Sequence, residues 1–145
     1  MLAVVQRVLE ARVSVNDSLV GAIGPGLCVL LGVAHDDDPG KATSLARKIV
    51  HLRIFPNAEG RFNLSLLDTG GGALVISQFT LIADTSRGHR LSFSDAASPD
   101  HAEEIYDLFV QELREQKVAV ETGRFGAAMA VELINDGPVT IVLDR

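Results

Sequence analysis

The sequence predicts an α/β fold, a mixed sheet with two main helices packed on it, in a single domain spanning residues 1–145. Three observations carry that expectation. Residues 2–15 alternate and are rich in valine, residues 27–34 form a continuous apolar run of strand length, and two amphipathic stretches sit between strand-like segments. At 145 residues, with 47% apolar and 22% charged, the chain can bury a core without staples. Aromatics are only 5%, so that core must rest on Val, Leu, Ile and Ala.

The elements follow in order. Residues 2–15 and 19–23 form a β-hairpin around the turn Asn16-Asp17-Ser18. Gly24-Pro25-Gly26 breaks the chain, and residues 27–34 read as a central strand covered on both faces. Asp38 then serves as N-cap with Pro39 at the first helical position, and the acidic residues 36–38 are favoured by the helix dipole. Ala42, Leu45, Ala46, Ile49 and Leu52 fall at helical spacing, which predicts a helix over 39–51. Short strands follow at 53–55 and through Phe62, Leu64 and Leu66. Glycines 70–72 then release a strand at 73–81. Residues 82–97 are irregular, and a long loop in a compact domain tends to carry function. Ser98-Pro99-Asp100 starts a second helix, with Ala102, Ile105, Tyr106, Phe109 and Leu113 as its apolar stripe down to about residue 116. Closing strands are expected at 118–120, 127–134 and 139–143, the last two joined by a turn at Asp136-Gly137-Pro138.

The rest of the chain is organised around 73–81, which starts apolar and ends with Ser77, Gln78 and Thr80. Alternation puts Ser77 and Phe79 on one face and Gln78 and Thr80 on the other, unless the strand bends or ends there. No glycine-flanked serine elbow surrounds Ser77, and Gln78 is no base for Thr80. His35, His51, His89 and His101 lack ligand spacing, and the single Cys28 reads as a small buried hydrophobe. No Gly-rich phosphate loop is present. What the stretch offers is donors. Such a site stabilises developing charge through backbone N–H groups, for instance that of Phe79, and leaves attack to water or a substrate hydroxyl.

Ser77, Gln78, Phe79 and Thr80, with Asn135-Asp136-Gly137-Pro138-Val139-Thr140, make the chain resemble the D-aminoacyl-tRNA deacylase family. Gln6-Arg7-Val8, Arg53-Ile54-Phe55, Ala83-Asp84-Thr85, Ala97-Ser98-Pro99-Asp100 and Thr122-Gly123-Arg124-Phe125 extend the likeness over nearly the whole chain. The resemblance implies a second, barrel-like β layer and a homodimeric esterase that needs no cofactor or metal and frees the 3′ end of tRNA from D-amino acids. It assigns Ser77, Gln78, Phe79 and Thr80 to the catalytic pocket. Gly137 and Pro138 become a chirality filter, joined by a cis bond and reaching into the partner's site, with Arg7 orienting their carbonyls. Phe125 and Met129 fall near the terminal adenosine, where stacking on an unpaired base is sequence-tolerant. A filter that works by rejecting the L-enantiomer passes glycine, so glycyl-tRNA is an expected substrate.

A net charge of −6 is the wrong sign for a general nucleic-acid binder. It counts against tRNA as a partner unless only a short single-stranded end is gripped, with the basic residues gathered locally. Lys41, Arg47, Lys48, His51 and Arg53 form one such group, and Arg87, His89 and Arg90 another. The charged Arg7 and the lack of any apolar run of about eighteen residues point to a cytoplasmic protein without a membrane partner. Two other functions fit the same residues, a non-catalytic dimeric module binding RNA 3′ ends and a thioesterase or lactonase acting on small metabolites.

Overall fold

The computed structural model describes residues 1–86 and 88–145. β1 (Leu2–Val15) and β2 (Ser18–Ile23) form the expected hairpin. Asn16 and Asp17 both turn left-handed, at φ 49° and 64°, as a two-residue connection matched to strand twist requires. β3 (Gly26–Gly32) runs antiparallel to the first half of β1 and parallel to β6 (Gly72–Ser77). β6 in turn pairs in parallel with β7 (Ala119–Thr122). The sheet order is β2-β1-β3-β6-β7, and β8 (Ala130–Asp144) lies along the other edge of β1.

β2 curls round to meet β7 so closely that a Cβ on Gly21 would stand 2.7 Å from the Thr122 carbonyl oxygen. This makes the mixed sheet a nearly closed, barrel-like layer. Alternation along its strands separates two cores. Leu27, Val29, Leu31, Ala73 and Val75 face α1 (Pro39–Val50) and α3 (Pro99–Glu115), against Leu45, Ile49, Ile105 and Phe109. Cys28, Leu74 and Ile76 face the barrel interior with Val8, Ala11 and Val13. A small second sheet pairs β4 (Phe55–Pro56) with β5 (Phe62–Leu64). No described helix is long and apolar enough to cross a membrane.

α1 starts as its sequence requires, the Asp38 carboxylate accepting the Lys41 backbone N–H at 2.8 Å with Pro39 behind it. The acidic residues before it do something other than complement the helix dipole. Asp37 is buried, and its carboxylate takes the Met1 ammonium at 2.8 Å, the Ala34 N–H at 2.7 Å and the Lys41 ammonium at 3.0 Å. Burial opposes its charge, but these three donors outweigh burial and hold the carboxyl below its usual range. A depressed carboxyl stabilises the fold above the ordinary Asp pKa of about 4 and loses that contribution as pH falls through and below it. Asp37→Asn is therefore expected to cost about 3 kcal/mol at pH 7. It should also flatten the acid limb of a plot of melting temperature against pH; an unchanged limb would clear Asp37 of the role.

Two other expectations are corrected. Residues 66–69 form a short helix, α2 (Leu66–Thr69), where an alternating segment was expected to continue. The cause is a reciprocal cap, Ser65 accepting the Asp68 N–H while Asp68 accepts the Ser65 N–H. Residues 130–134 and 139–143 belong to one continuous strand, β8, which starts three residues later than expected, and are not two strands joined by a turn. Gln6 pairs with Thr140 and Val8 with Asn135, so residues 136–139 bulge outward opposite Arg7 without reversing the chain. Asn135 closes the bulge, accepting the Val139 N–H at 2.7 Å and donating to the Val139 carbonyl at 3.1 Å. Within it the Gly137–Pro138 peptide bond is cis.

Candidate functional site

β6 stops at Ser77, four residues before the end of the apolar-to-polar run. Its last bond to β3 is from the Gln78 N–H to the Leu31 carbonyl at 2.7 Å, after which residues Phe79–Ile82 wind into a 3-10 turn. That turn crosses β3 at Gly32, where a Cβ would stand 3.0 Å from the Leu81 Cβ and 3.1 Å from the Gln78 carbonyl oxygen. A glycine is thus what admits the crossing. Because the strand ends here, strand alternation does not sort the side chains. Ser77, Gln78 and Phe79 all line one cavity of about 540 Å³, and Thr80 does not. The Thr80 hydroxyl instead accepts the Gln78 side-chain amide.

Phe125 and Met129 line the same cavity as Ser77, and its inner end reaches Val33, Ala97 and Ala102. Gly123 lets Met129 close in, since a Cβ there would lie 2.5 Å from the Met129 sulfur. Phe125 leans on Tyr106 at 6.0 Å between ring centroids. Tyr106 is fixed in turn by donating to the Val75 carbonyl at 2.8 Å, and burial pushes its hydroxyl pKa up, so it stays a neutral donor. Phe79 is more than half exposed yet packs its ring against Phe93, 5.0 Å away. Phe93 comes from the irregular stretch 82–97, where no periodicity singled it out. None of the residues lining the cavity carries an acid, amine or imidazole. Among the described residues the Phe79 N–H makes no hydrogen bond. The cavity therefore offers donors and apolar walls, and no side-chain base.

Arg7, Gly137 and Pro138 lie outside this cavity and form a second cluster. The Arg7 side chain is buried. Its Nε donates to the Asp136 carbonyl at 2.9 Å and stands 3.3 Å from the Asp136 carboxylate, and its Nη1 donates to the Ile54 carbonyl at 2.6 Å. The ring of Phe62, from β5, covers the guanidinium at 5.4 Å. Gly137 and Pro138 are exposed at the tip of the bulge. Neither Phe62 nor Asp136 was marked by the sequence as belonging with Arg7, since each meets it only through long-range pairing.

The basic residues are partly committed elsewhere. Arg47 donates to Glu112 at 2.7 Å, a hydrogen bond that holds the Glu112 carboxyl below its usual range, and Lys41 is bound to Asp37. Lys48, His51 and Arg53 are exposed, Arg53 donating to the Asn63 carbonyl at 2.8 Å. His89 and Arg90 are exposed as well, while Arg87 lies outside the described residues.

Comparison with known proteins places this arrangement. The model of the family described as D-Tyr-tRNA(Tyr) deacylase matches residues 4–144. A D-aminoacyl-tRNA deacylase of Roseiflexus sp. (strain RS-1) is 62% identical over 144 residues, covering 99% of this chain and 93% of that protein. One of Enterobacter sp. (strain 638) is 53% identical over 143 residues, covering 99% of both. Among solved structures, a c-Myc DNA unwinding element binding protein superposes with a TM-score of 0.93 at 39% identity, over 100% of this chain and 99% of that one. A probable eukaryotic D-amino acid tRNA deacylase superposes at 0.86 over 99% and 98% of the chains, and at 19% identity it speaks for the fold alone. The family model and these relatives define the class of protein, a hydrolase acting on ester bonds. The chain belongs to the D-Tyr-tRNA(Tyr) deacylase family.

Proposed function

We propose that the protein hydrolyses the ester linking a D-amino acid, or glycine, to the 3′ end of tRNA, and rejects L-aminoacyl esters. The observation that carries this reading is the cavity at the end of β6, where Ser77, Gln78 and Phe79 meet Phe125 and Met129 around an unspent Phe79 N–H. The ester carbonyl oxygen sits against that N–H, which stabilises the negative charge developing on attack. With no side-chain base lining the cavity, the nucleophile is water or the ribose 2′-hydroxyl. An aminoacyl ester is activated enough for so modest an apparatus. Thr80 positions Gln78 and forms no covalent intermediate. Phe125 and Met129 pack against the terminal adenosine.

Chirality is set by Gly137 and Pro138. Because they are exposed and lie outside their own chain's cavity, they act on the cavity of a second copy, in a cytoplasmic homodimer. Backbone carbonyls cannot swing away as a side chain can, so they exclude a substituent on the wrong side of Cα.

The decisive measurement is amino-acid release from matched D- and L-tyrosyl-tRNA with a chelator present. Release from the D-ester alone supports the reading, and tRNA binding without turnover would replace it with the 3′-end binding module. Glycyl-tRNA is expected to be cleaved, and equal resistance of glycyl and L-alanyl esters would sink the rejection mechanism. Thr80→Ala should lower kcat by about tenfold through a loosened Gln78. Abolished turnover together with a trapped acyl-enzyme on the wild type would make Thr80 the nucleophile. Phe125→Ala should raise KM by about tenfold, the worth of one stacked base, with a smaller effect on kcat.

A further inference from the structure

Phe62 is 57% exposed, and an exposed phenylalanine adds little to a core. It sits on β5 in the small second sheet, away from the lining of the cavity. Yet its ring covers the guanidinium of Arg7, a side chain that is itself only 7% exposed.

The bulge at 136–139 is tied down at two places, and Arg7 lies close to a third. Asn135 bridges its two ends through Val139. Arg7 Nε holds the Asp136 carbonyl. Arg7 also stands beside Gly137 itself, its Nη2 lying 3.2 Å from where a Cβ on that residue would be. The guanidinium therefore holds the Asp136 carbonyl that leads into Gly137, and crowds Gly137 on the side where a side chain would stand.

The guanidinium plane is in turn fixed by the Ile54 carbonyl on Nη1, the Asp136 carboxylate beside Nε, and the Phe62 face. The Ile54 contact is main chain, and Asp136 belongs to the bulge. Phe62 is the contact that a substitution can remove without altering either. A cation over an aromatic face is held electrostatically, and more strongly where the cation is shielded from water, as Arg7 is.

We infer that Phe62 is a specificity-positioning residue, whose ring fixes the Arg7 guanidinium and, through it, the direction of the Gly137–Pro138 carbonyls. This rests on the proposal that those carbonyls reject L-aminoacyl esters. It follows that Phe62 sets discrimination between enantiomers through Arg7, without lining its own chain's cavity.

The experiment compares wild type with Phe62→Leu, Phe62→Tyr and Gly137→Ala, reading kcat/KM for D- and L-tyrosyl-tRNA and the melting temperature of each. Phe62→Leu keeps apolar bulk and loses the π face, and is expected to lower the D-to-L ratio about tenfold through faster L-ester turnover. Its melting temperature should stay within a few degrees of wild type, because the side chain is mostly solvated. Phe62→Tyr keeps the face and should keep the ratio. A wild-type ratio in Phe62→Leu, or equal changes in the Leu and Tyr variants, would overturn the role of Phe62. If Gly137→Ala changes the ratio and Phe62→Leu does not, the positioning fails while the filter stands. An unchanged ratio in Gly137→Ala removes the filter, and the role of Phe62 with it.

Discussion

Gly137→Ala is expected to lower kcat/KM for D-tyrosyl-tRNA about a hundredfold while leaving the protein folded. Gly137 holds φ at 142°, a conformation L side chains rarely adopt, and a Cβ there would meet Val139 Cγ2 at 2.7 Å and the Val139 nitrogen at 3.0 Å. Val139 is buried, so it cannot yield freely, and the bulge must move instead. The residues of the bulge tip are exposed, which spares the core. On the proposed filter, a displaced carbonyl would stand where the D-substrate should pass, or no longer stand where the L-substrate should stop. Kinetics on both esters, beside a thermal melt, separate these outcomes from unfolding; unchanged kinetics with both esters would remove Gly137 from the reaction.

Gly26→Ala is expected to destabilise the protein by about 4 kcal/mol or more, at the far end of what single substitutions do. Gly26 and Gly72 face each other where β3 and β6 begin to run in parallel, and a Cβ on Gly26 would fall 1.9 Å from the Gly72 carbonyl oxygen. The three atoms nearest that position are all backbone of Gly72, so no side chain can rotate aside. Relief requires β3 and β6 to separate at the centre of the sheet, on which both cores depend. Chemical denaturation should show the loss directly. By contrast Gly24→Ala, with open space around its Cβ position, should leave stability nearly unchanged. If Gly26→Ala unfolded at the wild-type denaturant concentration, the backbone contact would not be the constraint.

What the sequence disclosed is what neighbours in the chain decide. The hairpin through Asn16 and Asp17 and the start of α1 at Asp38 and Pro39 are local, and both stand as expected. The run of β8 through Gly137–Pro138 is not local. Gly-Pro ordinarily marks a turn, and only the pairing of β1 with both halves of β8 shows that the chain carries on. The end of β6 was equally hidden, because the 3-10 turn depends on space opened by Gly32, far away in sequence. Within the site, Ser77, Gln78, Phe79, Phe125 and Met129 were singled out by motif and do meet at one cavity. Phe93 was passed over because an irregular loop has no period to betray which side chain turns inward. Phe62 and the Met1 contact of Asp37 were hidden for a different reason, their partners being far away in sequence.

The first strand spans the sheet's assembly in a way that bears on how the chain comes into being. β1 pairs with β2 and β3 along one edge, close behind it in sequence, but Leu2 pairs with Asp144 along the other. During synthesis residues 2–15 acquire their near partners early, while the far edge stays unpaired until residues 130–144 have been made. A strand edge left open for that long is a template for the wrong partner. Residues 2–15 therefore carry an aggregation hazard that is relieved only once β8 is in place.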